Sequence, residues 1–132
     1  RDALDLQERV ELIECDLVEG VPAELAQSFS VLVSNPPYIP TSVLEQEVPA
    51  EVKGFEPELA LDGGEDGLDV YRRLLEAAPR MLLPGGMLCV ELYEGHLDKA
   101  AHLAEQQGVW ESVEVKEDLT HRPRILVARL AK

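Results

Sequence analysis

The chain has 132 residues, of which 45% are hydrophobic and 29% charged, the balance of one compact globular domain. Its 26 acidic against 12 basic residues give a net charge of −14, which opposes tight non-specific binding to a nucleic-acid backbone or an anionic membrane surface. No apolar run approaches the roughly 18 residues of a membrane span.

The opening residues, Arg1-Asp2-Ala3-Leu4-Asp5, are not a signal peptide and read as the tail of a helix, so the chain is expected to begin inside a longer protein. Val10 to Cys15 reads as a first strand ending at Asp16. Residues 22 to 28 read as a short loop or helical turn. Residues 29 to 34 form a second strand, whose continuous apolar character suits burial on both faces. Residues 39 to 65 are rich in Pro, Glu and Gly without periodicity, and so long a loop in a small domain is functional or mobile. Asp66 is placed to cap a helix through Leu68, Tyr71, Leu74, Leu75 and Ala78, with a kink or break expected at Pro79. Leu83-Pro84-Gly85-Gly86 signals a stop and turn. Met87 to Leu92 is a third buried strand. Leu97, Ala100, Ala101 and Ala104 give a helix face ending at Gly108, and strands follow at Val113 and Val115 and over Ile125 to Leu130.

Strands alternating with helices indicate an α/β fold with a largely parallel sheet, in which ligands bind beyond the carboxyl ends of the strands. Asp16, Asn35 and Glu91 each stand at or near such an end, although Asp16 also fits a turn cap and Glu91 a satisfied, partly buried strand residue. Cys15 and Cys89 lie in or beside apolar runs without metal-ligand spacing, which predicts two buried free thiols in a reducing, cytoplasmic compartment. No metal site is expected.

The most informative segment is Asn35-Pro36-Pro37-Tyr38, directly after the apolar run that ends at Val33 and Ser34. Neither proline has an N–H, and Pro36 holds Asn35 extended. The result is a stiff turn at a strand tip, with the Asn35 side chain and free carbonyls available to a planar group carrying N–H donors. Taken alone, the same tetrapeptide also fits a rigid structural turn.

Val33 to Pro40 resembles the motif of methyltransferases that act on amide or amine nitrogen with S-adenosylmethionine. Asn-Pro-Pro-Tyr is shared between protein glutamine and adenine-N6 nucleic-acid methyltransferases. The stretch Glu56 to Asp69, then Tyr71-Arg72-Arg73-Leu74-Leu75 and Leu83-Pro84-Gly85-Gly86, resembles the release-factor glutamine methyltransferase (HemK-type) family. The resemblance runs over nearly the whole chain and implies the C-terminal portion of a class I, Rossmann-like S-adenosylmethionine-dependent methyltransferase domain. Its sheet would be mostly parallel with an antiparallel final strand. Val10 to Cys15 would be the family's third strand, Val31 to Ser34 its fourth and Met87 to Leu92 its fifth, with the last two strands its final pair. Residues 1 to 132 would then be a partial catalytic domain. The helical N-terminal domain, the first two strands and the glycine-rich cofactor loop would be absent; Gly63-Gly64 and Gly85-Gly86 stand in the wrong context for that loop.

The implied reaction moves a methyl from S-adenosylmethionine to a glutamine amide of a peptide-chain release factor. An amide nitrogen is a poor nucleophile because its lone pair is delocalised. By resemblance, the Asn35 side-chain carbonyl and the Pro36 backbone carbonyl hold its NH2 in line with the methyl, Pro37 cannot compete, and Tyr38 packs on the amide plane. Positioning of this kind draws on the ~7–11 kcal/mol open to well-oriented reactants. Asp16 and Leu17 would border the cofactor's adenine and Asn35 its methionine end, with weak or no cofactor binding by this chain alone.

Alternatives are methylation of a ribosomal-protein glutamine, methylation of adenine N6 in nucleic acid, and a non-catalytic fold fragment or interaction module. In the family sheet the absent strands lie between the third and the fourth, so unpaired edges are expected to drive self-association or strand exchange. Two departures from the family pattern are His96, where the run after Glu91 usually ends in Gln, and His121 at a usual Gly. Both are expected to be inert, and His102 to be ordinary surface.

Overall fold

The computed structural model describes residues 2–46 and 58–132. Its regular elements are β1 (Phe29–Ser34), α1 (Thr41–Gln46), α2 (Asp69–Met81), β2 (Leu82–Glu91), α3 (Leu97–Gln106), β3 (Trp110–Glu117) and β4 (Pro123–Leu130). Short 3₁₀ turns occur at Asp2–Leu4, Ala23–Leu25, Glu58–Ala60 and Glu94–His96.

The sheet order is β1-β2-β4-β3. β1 pairs β2 in parallel, while β4 lies antiparallel to both β2 and β3. Three strands therefore run one way and the final strand runs against them, the expected α/β arrangement. A parallel pair needs a crossover, and α2 supplies it.

The helices cover one face. Tyr71, Leu74, Leu75 and Ala78 recur at three- and four-residue spacing on α2, as do Leu97, Ala100 and Ala104 on α3. They meet Leu88 and Val90 of β2 and Leu126 and Ala128 of β4 in a single core. The buried Tyr71 hydroxyl donates to the Ala100 carbonyl at 2.8 Å and ties the helices together; burial pushes its pKa up.

Several expectations are corrected. Residues 10 to 15 form no strand, and Leu12 is 74% exposed. A strand must satisfy its N–H and C=O groups across a ladder, and the described residues offer this segment none. Cys15 is exposed rather than buried, and Cys89 is half-buried; both are free thiols. β1 is buried on one face only, with Val33 79% exposed, because the packed helices lie on the other side.

The aperiodic stretch contains α1, the turn at Glu58–Ala60 and a parallel bridge between Ile39 and Asp62; its residues 47 to 57 lie outside the described set. α2 runs through Pro79 to Met81, with Gln107 taking up the carbonyl that the proline leaves free. Leu83 to Gly86 do not end an element. They form a bulge inside β2, where register passes from Phe29↔Leu82 to Val31↔Met87 with Gly85 at φ +79°.

Candidate functional site

The last register pair of β1 and β2 is Ser34 with Val90, so Asn35 and Glu91 leave two adjacent parallel strands side by side. Asn35 and Glu91 are exposed, Pro36 is buried, and Pro37 and Tyr38 are half-buried. Among the described residues, no hydrogen bond occupies the Asn35 side chain or the Pro36 carbonyl. A cavity of about 240 Å³ lies here, lined by Asn35 through Ile39 together with Ala60 and Leu61. Two free acceptors thus border a hollow large enough for a side chain but small for a bulky ligand.

What holds this turn is the second motif. Ile39 N donates to Leu61 O at 3.0 Å, Gly63 N to Ile39 O at 2.8 Å, and Thr41 N to Gly64 O at 2.9 Å. Asp62 Oδ1 accepts from Thr41 Oγ1 at 2.8 Å and from Gly64 N at 3.0 Å. Asp69 N donates to Gly63 O at 2.9 Å, anchoring the clasp to the start of α2. Gly63 is required by close approach: a Cβ there would stand 2.8 Å from Tyr38 Cα and from the Gly67 backbone. Glu56 and Pro57, the first residues of this motif, lie outside the described residues.

Asp66 is not the helix cap expected of it. Leu68 occupies that position, and its N–H reaches Asp66 Oδ1 at 3.2 Å. Arg72 grips both carboxylate oxygens, at 2.9 and 2.5 Å, and Lys99 adds a contact at 2.6 Å. Hydrogen bonds from Arg72 and then Lys99 hold the Asp66 carboxyl well below the usual carboxylate range. This ion cluster locks the glycine segment to α2 and α3.

The remaining site expectations divide. Asp16 stands at no strand end, since residues 10 to 15 form no strand; it is exposed and pairs with Arg73 Nη2 at 2.7 Å. Leu17 sits at φ +51° in the following turn. Asn35 alone among the three expected cofactor contacts stands at a strand end. His121 is exposed at φ +60°, in the turn between β3 and β4. His102 meets Gln106 at 3.0 Å on the α3 surface.

Sequence reasoning missed Ala60 and Leu61 as cavity walls and the half-buried His96, whose ring lies against Gly67. The spacing Gly63, Gly64, Gly67 was the available signal, since clustered glycines mark close backbone approach. Among the described residues, no cluster of His, Cys, Asp and Glu could hold a metal ion, and no helix is long and apolar enough to cross a membrane.

No protein-family model matches the chain. Two solved structures share the fold. The E. cuniculi Mtq2–Trm112 complex, responsible for methylation of the eRF1 translation termination factor, aligns with TM-score 0.57 and 23% identity over 98% of this chain and 67% of that one. The release-factor-specific protein-(glutamine-N5) methyltransferase of Alicyclobacillus acidocaldarius aligns with TM-score 0.51 and 24% identity over 83% and 53%. The architecture is the α/β fold that these two methyltransferases share.

Sequence relatives narrow the class. The release factor glutamine methyltransferase of Clostridium acetobutylicum is 37% identical over 131 residues, covering 97% of this chain and 44% of that protein. The Geobacter sulfurreducens protein of the same name is 48% identical over 100 residues, covering 76% and 34%. The chain is thus similar over most of its length to release factor glutamine methyltransferases. It spans less than half the length of these two relatives.

Proposed function

We propose that this chain carries the acceptor side of an S-adenosylmethionine-dependent methyltransferase that modifies a glutamine amide in a peptide-chain release factor. The carrying observation is the pair of unoccupied acceptors, the Asn35 side chain and the Pro36 carbonyl, beside a cavity walled by Pro37, Tyr38 and Leu61. A glutamine amide presents two N–H donors in one plane. Asn35 and Pro36 accept them and orient the nitrogen, and Tyr38 lies along the amide face. S-adenosylmethionine supplies the methyl group.

In this reading the chain corresponds to the family's catalytic domain from its third strand onward. On the same reading Asp16, which pairs with Arg73, and Leu17 border the cofactor's adenine. Weak or no cofactor binding by this chain alone is part of the same proposal. The two free thiols suit a reducing cytoplasm. The net charge of −14 favours a protein substrate over a nucleic acid.

The test is transfer of labelled methyl by the protein carrying this chain to a release factor, a ribosomal protein and an adenine-containing oligonucleotide, each offered separately. Label in the release factor, lost when its acceptor glutamine is replaced, supports the reading. Label only in the oligonucleotide or the ribosomal protein refutes it.

A further inference from the structure

The turn after β2 returns to the floor of the Asn35–Tyr38 turn. Glu91 ends β2, and the 3₁₀ turn Glu94–His96 closes with His96 N donating to Tyr93 O at 2.9 Å. This delivers the His96 ring to Gly67. A Cβ at Gly67 would collide with both Tyr38 O and the His96 ring, with His96 Cε1 at 2.5 Å and His96 Nδ1 at 3.1 Å. The last carbonyl of the acceptor turn and the imidazole thus converge on the space that a Gly67 side chain would fill.

Two more observations fit a wedge rather than a surface histidine. His96 Nδ1 is buried and has no hydrogen-bond partner among the described residues. The ring's other contact is edge-to-face with Tyr93, centroids 5.3 Å apart at 75°, and Tyr93 in turn carries Arg124 at 5.9 Å from its ring centre. An orphaned buried nitrogen costs free energy, and here it sits where the ring fills space behind the acceptor turn. Burial lowers the His96 pKa, so the ring is neutral at pH 7 and adds no charge behind Tyr38.

We propose that His96 is a positioning residue for the acceptor turn: acting through Gly67, its ring fixes the Tyr38 carbonyl and thereby the direction of Asn35 and Pro36. This rests on the functional reading above, so its test has an arm that needs no activity.

That arm is amide hydrogen exchange at Ile39 and Gly63, whose bonds to Leu61 O and Ile39 O clamp the turn. In His96→Ala, exchange at these two amides rises about ten-fold while Val90 and Leu126 in the sheet stay protected, the pattern of local rather than global opening. His96→Gln, which keeps bulk and polar atoms, restores most of the protection. Unchanged exchange at Ile39 and Gly63 in His96→Ala overturns the proposal. So does equal loss throughout the sheet in both variants, since the role would then be general scaffolding.

In the transfer arm, His96→Ala lowers kcat by on the order of ten-fold or more with KM for the release factor little changed, as expected when a bound amide is misaligned. A rise in KM alone overturns the positioning role. If the unaltered protein transfers no methyl, the functional reading falls, and the exchange arm still decides whether His96 holds the turn.

Discussion

The Gln107 side-chain amide donates to the Leu75 carbonyl at 3.1 Å, and Leu75 is the residue that Pro79, four positions later, deprives of its helical donor. Gln107 Oε1 in turn accepts from Trp110 Nε1 at 2.7 Å. A glutamine between α3 and β3 therefore repairs α2, which is why the helix passes a proline without ending. Replacing Gln107 by Ala strands two polar groups and is expected to cost about 1–3 kcal/mol. In a Pro79→Ala background the backbone N–H returns to Leu75, and the Gln107→Ala cost becomes smaller. A double-mutant cycle by urea denaturation measures this coupling; additive costs would contradict the repair.

Gly67 and Gly108 both have positive φ, at +75° and +67°, but only Gly67 is crowded. Gly108→Ala meets nothing within 4 Å and is expected to cost only the left-handed backbone term, roughly 1–2 kcal/mol. Gly67→Ala must also displace Tyr38 O and His96, so its thermal midpoint should fall clearly further. Equal shifts would show that the contact between Gly67 and Tyr38 does not constrain the site.

Acidification should destabilise the fold in two windows. His96 has a folded pKa lowered by burial, so the unfolded chain binds its proton first; stability falls as pH drops through about 6.5. Asp66 has a folded pKa lowered by Arg72 and Lys99, so its contribution is complete above about 4 and fades below that value. In unfolding measured against pH, His96→Gln reduces the upper window, and Asp66→Asn reduces the lower one, which Asp118 and Glu114 share. A profile that either variant leaves unchanged would rule out that residue's share.

Asn35 is exposed and its side chain supports no described contact, so Asn35→Ala should leave the thermal midpoint within about 0.5 kcal/mol of unfolding free energy. Methyl transfer by the protein should nevertheless fall on the order of 10²–10³-fold, the usual effect of removing one preorganised polar partner. Full activity in the variant would refute the role proposed for Asn35.

β1 bonds β2 on one side and no described strand on the other, and its outer face exposes Val31 and Val33. Such an edge invites pairing with a second copy. Light scattering should show self-association that rises with concentration and weakens in Val33→Lys. A monomer at every concentration would argue against it.

Apolar spacing located α2 and α3, and short apolar runs located the strands β1, β2, β3 and β4, because each packs apolar side chains at positions set by local geometry. The turn at Asn35-Pro36-Pro37-Tyr38 was equally legible, since proline chemistry acts on its own neighbours. The strand read at Val10 to Cys15 was not realised, because a strand exists only where another offers a ladder.

The continuity of α2 through Pro79 was likewise invisible, because the repairing donor sits 32 residues from Leu75. So were the clasp of Leu61 to Gly64 on Ile39 and the wedge of His96 behind Gly67. The sequence by itself determined that Asn35 and Pro36 stand in a stiff turn at a strand tip. Only the tertiary structure decided what holds those groups in place, because that depends on contacts between segments whose separation along the chain carries no local signal.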